Sequence, residues 1–597
     1  MSKTDQALAV RVCGSAAPVL LSDAALAAGM HLNMRCGGNG VCGRCAVEWQ
    51  GKRVLACQTT VTKDGEMHIP QPSLLPEEWV VESAFAPPHP RPAHPRCRRL
   101  VVRVPAPRTQ PGVDDWERLC NACGAGILAA TPAGGTPVAR VPPELLRKLP
   151  DLVERERPVR LTMFDEEVIE LEDESQPPQA LLGVAVDIGT TTVVVRLLDL
   201  VTGEELALAG AQNRQVTLGA SVISRIAHGS TPHGLERLQK LVCKQTILPL
   251  LEKCLSHAKL PGAPVRRLVV GGNTTMVHLF LGLSPKGLGT VPFNAASLAP
   301  SPAPGALVGL PAERIECVAA AGAYLGGDVI GGLYAVGLDR PGPPEMLIDV
   351  GTNSEILLRV GDRIFGASAA AGPAFEGGGL SSGGPALAGA ITHLSLNESG
   401  FHLETCKNKP ATHLCGSAYV DFLSEGRKKG FLSEFGRIAP DFLLAEQVTL
   451  PPPGAAAGVE NPKPSRAVRR CVIANGVTID EHDVSLLLQA KGAVLAGASI
   501  LLRKAGIAPQ DLHALHVAGG FGRHLNPEHA VRVGLLPPVP LERIKVVGNT
   551  SLAAASSALL NAHAGPEIRE LARRVQIVEL NLEPDFEDCF INALSMP

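Results

Sequence analysis

Four cysteines near the start of the chain lie in CGGNGVCGRCAVEWQGKRVLAC, spaced C-x5-C-x2-C-x11-C over Cys36, Cys42, Cys45 and Cys57. Thiolates gathered this closely make a metal site. Gly37, Gly38, Gly40 and Gly43 let the loop wrap around its cargo, and their N–H groups can face anionic sulfur. Structural zinc sites usually pair two short C-x2-4-C hooks, and only one is present here, although a zinc knuckle stays open. A second pattern occurs twice: GVAVDIGTTTVVVRLL at 183–198 and MLIDVGTNSEILLRV at 346–360. Each copy is an apolar strand, then Asp-x-Gly-Thr and another apolar strand. Asp187 and Asp349 close the strands, and Gly189 and Gly351 make the turns. Thr190, Thr191 and Thr192 in one copy, and Thr352 and Asn353 in the other, offer N–H and hydroxyl donors to phosphate oxygens. The two carboxylates would hold hydrated magnesium between them, and are the candidate catalytic pair. A single Asp-x-Gly-Thr could be turn chemistry alone, whereas a duplication implies two equivalent halves.

The elements that must carry these residues are legible in outline. The segment after Cys45 alternates through Ala46–Trp49, turns at Gln50, Gly51 and Lys52, and returns Cys57 on a hairpin. Before the cysteines, residues 8–13 and 18–21 read as strands, and Ser22 or Asp23 should cap a short helix at 24–28. This order suits a β-grasp fold over residues 1–75. Residues 76–97 form a linker, with five prolines in the stretch AFAPPHPRPAHP favouring an extended spacer. Residues 98–178 give a small α+β domain: a strand at 98–104, a helix at 114–130 and strand-like alternation at 159–171. Cys97, Cys120 and Cys123 read as buried cysteines, there being no fourth ligand near them. Finally, in HVAGGFGR at 516–523 a strand runs into Gly519, Gly520, Phe521 and Gly522, where the backbone can approach a nucleoside.

Composition narrows the function classes. With 597 residues, the chain should hold roughly three to five folding units. A net charge of −3 disfavours a nucleic-acid partner. The longest apolar run, 492–502, is too short to span a bilayer, so a cytoplasmic protein with no membrane partner is expected. Fifteen cysteines, an odd number in a long chain, point to reduced thiols. His278, His482, His516 and His524 sit in apolar or turn settings that suit structural histidines.

The cysteine segment resembles plant-type [2Fe-2S] ferredoxins, although its first gap is x5 where theirs is x4. The duplicated turns with the 516–523 segment resemble the superfamily of actin, sugar kinases and heat-shock chaperone ATPases. That resemblance implies two ribonuclease-H-like halves, 181–345 and 346–597, closing over ATP and magnesium. Within that superfamily GGNTTMVHLFLGLSP (271–285), AAAGPAFEGGG (369–379), CGSAYVD (415–421) and LLLQAKGAVLAGASILL (486–502) resemble the reductive activators of corrinoid proteins. One departure is Ser221, where an aspartate is expected in relatives. The resemblance implies an ATP-dependent enzyme that passes one electron from a [2Fe-2S] cluster to a Co(II) corrinoid, with a corrinoid methyl-carrier protein and an upstream electron donor as partners. A homodimer stays open. A metabolite kinase with an attached sensor cluster, a chaperone-like binding module and an activator of a radical dehydratase are the rival readings.

Overall fold

The computed structural model describes residues 8–13, 18–34, 40, 43, 45–70, 73–74, 94–105, 114–123, 140–154, 158–219, 221–398, 400–442, 444–450, 466–474, 476–520 and 524–597. Cys36, Cys42, Phe521 and Gly522, and the proline-rich stretch up to residue 93, lie outside them.

Near the N-terminus, alternation of apolar and polar residues produces a four-stranded antiparallel sheet in the order Leu8–Val12, Gly65–Ile69, Ala46–Trp49, Lys52–Leu55. Its hairpin turns at Gln50 and Gly51, both at positive φ (51° and 74°), the geometry that a two-residue turn needs to follow strand twist. Val47, Met67 and Ile69 point into a core closed by Leu21, Ala25 and Leu32. The helix runs Leu21–Ala27 with Leu20 at its cap position, not Ser22 or Asp23. Burial of Leu21 fixes the start, and no side chain caps it.

The next sheet is antiparallel, Cys97–Arg103, Pro158–Phe164 and Glu167–Asp173, with the helices Asp115–Cys123 and Leu149–Glu154 packed against it. It is tied to the rest of the protein by Arg96. All five N–H donors of that guanidinium are used, on Asp165 (2.7–3.2 Å), Glu316 (3.0 Å to each oxygen) and the Ala558 carbonyl (2.8 Å). Arg96 N also donates to Leu560 O, and Ala562 N to His94 O, so the residues entering this sheet dock on the helix Thr550–Leu560.

The remaining chain builds two sheets of matching topology. The first runs Glu205–Gln212, Thr192–Asp199, Leu182–Ile188, Val265–Gly272, Ala312–Cys317. The second contains Arg363–Ala369, Ser354–Gly361, Gly342–Asp349, Ala514–Ala518, Ile544–Gly548 in the same order, with Val575–Ile577 added at one edge. In both, three antiparallel strands are followed by two that run parallel to the first of them. Such a sheet is covered on both faces, which is why its central strands are continuous apolar runs. In the first half Val184, Val186 and Ile188 join one core with Leu238, Val242 and Leu251, while Ala185 faces another core with Leu552 and Ala555.

Among the described residues one helix, Glu481–Ala505, has the length and apolar character to cross a membrane. Its apolar window is 72% buried inside the protein. Asp480 and Asp483 cap its start reciprocally, and Gly506 ends it in the left-handed region.

A buried carboxylate joins three elements of the second half. Asp421, on the helix Gly416–Lys429, accepts from His393 Nδ1 at 3.0 Å, His529 Nδ1 at 2.7 Å and Leu394 N at 3.2 Å. Burial alone would push the Asp421 carboxyl up, but the bonds from His393 and His529 hold it below the usual range. The bond to Asp421 raises the imidazole of His393. A depressed carboxyl stabilises the fold above the unfolded Asp pKa of about 3.9, and a raised imidazole stabilises it below about 6.5. The cluster therefore contributes most between those values. Asp421→Asn should cost about 2 kcal/mol at pH 5.5, and less at pH 8, where the His393 charge is lost. Thermal melts of both proteins at the two pH values check this, and an equal loss at both would contradict it.

Candidate functional site

Each Asp-x-Gly-Thr segment forms the tight turn after the first strand of its half, so the two turns present matching edges. Asp187 ends Leu182–Ile188 one residue before its close and is fixed by Asn549 Nδ2 at 2.8 Å and Ser551 Oγ at 2.7 Å. Asn549 is the cap of the helix Thr550–Leu560, its Oδ1 accepting from Leu552 N. Burial raises the Asp187 carboxyl above the ordinary range. Asp349 ends Gly342–Asp349, and burial, then the charges of Asp328, Asp187 and Glu376, push it up to about 8. Asp328 opens the helix Gly327–Ala335 and is pushed up to about 7, first by burial and then by Asp187. Glu355, one strand further in, is also raised well above its ordinary value by burial and by Asp328 and Asp349.

These carboxylates repel one another, and a divalent cation with its water shell is what such a group would neutralise. Among the described residues no three His, Cys, Asp or Glu side chains are grouped to hold a metal ion directly.

The threonines of the two turns are engaged within the protein. Thr190 Oγ1 accepts from Asn273 Nδ2 at 3.3 Å, and its carbonyl accepts from Arg225. That arginine is fully buried. It bonds Thr190 O at 2.5 Å, Gly219 O at 2.9 Å and Gln215 Oε1 at 3.2 Å, and burial pushes its guanidinium down to about 9. Thr191 and Thr352, one from each turn, meet on a single carboxylate. Thr352 donates to Glu376 through its N–H (2.7 Å) and its hydroxyl (2.9 Å), and the Thr191 hydroxyl donates to the same side chain. Thr192 begins the returning strand Thr192–Asp199, and its carbonyl accepts from Gly189 N at 2.8 Å. Gly351 and Asn353 complete the second turn before Ser354–Gly361.

Gly519 follows Ala514–Ala518 at φ +95°, and a Cβ there would lie 2.6 Å from Val350 O and 2.8 Å from Asp349 Oδ1. Only glycine lets the third segment sit against the second turn, with Gly520 after it. Ser221 caps the helix Val222–Gly229, accepting from Ser224 N at 3.2 Å. A capping hydroxyl has no general-base capacity.

Of the histidines, His278 is saturated, with Nδ1 on Thr274 O at 2.7 Å and Nε2 accepting from Ala296 N at 3.0 Å. His516 pairs with Glu345 at 2.8 Å inside the core. His482 lies in the first turn of Glu481–Ala505, and the rings of His524 and His393 meet edge to face. Cys97 is buried in its strand, where burial pushes the thiol up to about 12.

At the N-terminal sheet, the Sγ atoms of Cys45 and Cys57 meet at 3.2 Å in the core. Gly40 and Gly43 have positive φ (74° and 64°), which glycine adopts without strain. The described pair fits two of the four thiolate ligands of a cluster.

Sequence reasoning missed Asp328, Glu355, Glu376, Arg225, Asn549 and Ser551. Glu376 lies inside the 369–379 string already singled out. Asn549 and Ser551 follow a strand in the segment VVGNTS, a strand-to-cap signature that could have been read.

Comparison with known proteins agrees with this architecture. Residues 182–341 match the family described as the RACo middle region, and residues 344–597 match the C-terminal domain of RACo, the ASKHA domain. The chain is 27% identical over 587 residues to the corrinoid activation enzyme RamQ of Eubacterium limosum, covering 96% of this chain and 95% of that protein. It is 26% identical over 416 residues to the [Co(II) methylated amine-specific corrinoid protein] reductase of Methanosarcina barkeri, covering 66% and 73%. A solved reductive activator for corrinoid, iron-sulfur protein superposes with a TM-score of 0.74 at 28% identity, covering 98% of this chain and 96% of that one. The first of the two halves thus corresponds to the RACo middle region, and with both regions matched and two of these proteins aligned nearly end to end, the chain belongs to the RACo family.

Proposed function

We propose that this protein is an ATP-dependent reductive activator that returns the Co(II) corrinoid of a methyl-carrier protein to Co(I). The observation that carries the reading is the pairing of two equivalent phosphate turns, Asp187 and Asp349, with converging cysteines on a separate N-terminal sheet. The family relatives named for corrinoid activation and reduction support it.

In this reading residues 1–75 are a ferredoxin-type domain, the linker expected over 76–97 ends before His94 and Arg96 dock on the helix Thr550–Leu560 and Cys97 opens a strand of the small α+β domain, and 181–345 and 346–597 are the two halves of the ATPase. Cys36, Cys42, Cys45 and Cys57 would hold a [2Fe-2S] cluster, which when bound supplies single electrons. Asp187 and Asp349 would hold magnesium. Gly189, Thr190, Thr191, Thr192, Gly351, Thr352 and Asn353 would line the phosphates, and Gly519, Gly520, Phe521 and Gly522 the adenosine. The setting is cytoplasmic, with an upstream donor refilling the protein.

Cobalt(I) is a strong reductant, so electron transfer to Co(II) runs against the gradient unless nucleotide binds one state of the complex better than another. Arg96 suits that purpose, because it ties the chain leaving the cysteine-bearing sheet to the helix whose first turn holds Asp187.

A metabolite kinase makes a different demand. Its ATP turnover should rise with a small hydroxyl or carboxylate substrate, and Ser221 offers no base to activate one. ATP hydrolysis is expected to rise several-fold with a Co(II) corrinoid carrier and to ignore sugars and short carboxylic acids. A phosphorylated small molecule among the products would overturn the assignment.

A further inference from the structure

We infer that Glu376 is the catalytic residue that activates the water for ATP hydrolysis; this rests on the proposed nucleotide site and deepens it. A hydrolase needs a carboxylate or equivalent aimed at the space beyond the terminal phosphate, distinct from the groups that bind the metal. Asp187 is engaged by Asn549 and Ser551 at the start of the helix Thr550–Leu560, and Asp349 sits against the backbone at Gly519. Ser221 is spent on its helix cap. Glu376 bonds both turns.

Its position is built. Oε1 accepts from Thr352 N at 2.7 Å, Oε2 from the Thr352 hydroxyl at 2.9 Å, and Oε2 also from the Thr191 hydroxyl. The backbone beneath is locked as well: Gly377 sits at φ +77°, with the place of a Cβ 2.2 Å from Gly384 N, so only glycine permits this turn to pack against residues 383–384. A side chain held by donors from both phosphate turns stands where a γ-phosphate spanning those turns would end. The carboxylate of Glu376 takes a proton from water as the water oxygen bonds to the γ-phosphorus. The bond from that phosphorus to the β–γ bridging oxygen breaks, ADP leaves with that oxygen, and the proton passes on to phosphate or solvent.

The alternative is that Glu376 merely clips the two turns together. Glu376→Gln separates the two, because the amide oxygen in the Oε1 place still accepts from Thr352 N–H and the NH2 in the Oε2 place can donate to the Thr352 and Thr191 hydroxyls, while the side chain can no longer take a proton. In the full-length protein, Glu376→Gln is expected to lower kcat for ATP hydrolysis about a hundredfold, with the Kd for Mg-ATP within about threefold of wild type. Glu376→Ala should show the same loss of kcat and, in addition, a lower Tm, since Thr352 N–H loses its acceptor. Wild-type turnover in Glu376→Gln overturns the proposal, as does a loss confined to nucleotide affinity. A wild-type protein that binds no Mg-ATP defeats the nucleotide site itself, a result that calorimetry on the unmutated chain reads separately.

Discussion

Asp349→Ala is expected to cut Mg-ATP turnover by about a hundredfold or more while making the nucleotide-free protein more resistant to heat at pH 8. The two effects have one cause. Burial and three neighbouring carboxylates push Asp349 up to about 8 in the folded protein. An unfolded aspartate ionises near 3.9, so the folded state binds a proton that the unfolded state has released, and stability falls as pH rises from about 4 to about 8. Removing the carboxyl removes that penalty, along with the charge that in the proposed site would attract magnesium. Asp187→Ala should match it in turnover but gain less heat resistance, because Asn549 and Ser551 lose their partner. Steady-state hydrolysis and thermal melts at pH 8 test both halves. Normal hydrolysis by either variant would reduce the duplicated motif to a pair of turns.

The other large effect concerns the cysteines. Wild-type protein is expected to contain two irons and two labile sulfides per chain, and Cys42→Ser to bring corrinoid reduction down to the background rate while ATP binding is unchanged. The independence follows from packing: Cys45 and Cys57 belong to a core with Val47, Met67 and Ile69, and Asp187 and Asp349 to sheets with cores of their own. Metal and sulfide analysis with nucleotide titration of the variant checks it. Stoichiometric zinc without sulfide would contradict the redox reading.

What the sequence disclosed, and what it hid, follows from how local each signal is. The hairpin carrying Cys57 was legible because Gln50 and Gly51 sit between two alternating runs, and the two Asp-x-Gly-Thr turns were legible because Asp187 and Asp349 recur in one pattern. The helix start at Leu21 was misplaced because burial of an apolar side chain outweighed the polar caps one and two residues on. Asp328, Glu376 and Arg225 were invisible as site residues for another reason. Each comes from a separate segment and acquires its meaning only in the folded chain: Glu376 bonds Thr191 of the first half and Thr352 of the second, and Arg225 gathers Thr190, Gly219 and Gln215 within the first. His516, one of four histidines weighed at the start, proved a core residue paired with Glu345, since its strand is buried on both faces.

The measurement that bears most directly on the whole account is the yield of Co(I). A Co(II) corrinoid carrier, the protein and an artificial reductant are mixed without oxygen, and the Co(I) absorption band is followed with and without Mg-ATP. The account predicts that the band grows only when ATP and magnesium are both present. Equal rates with and without nucleotide, for every corrinoid carrier tried, would contradict it.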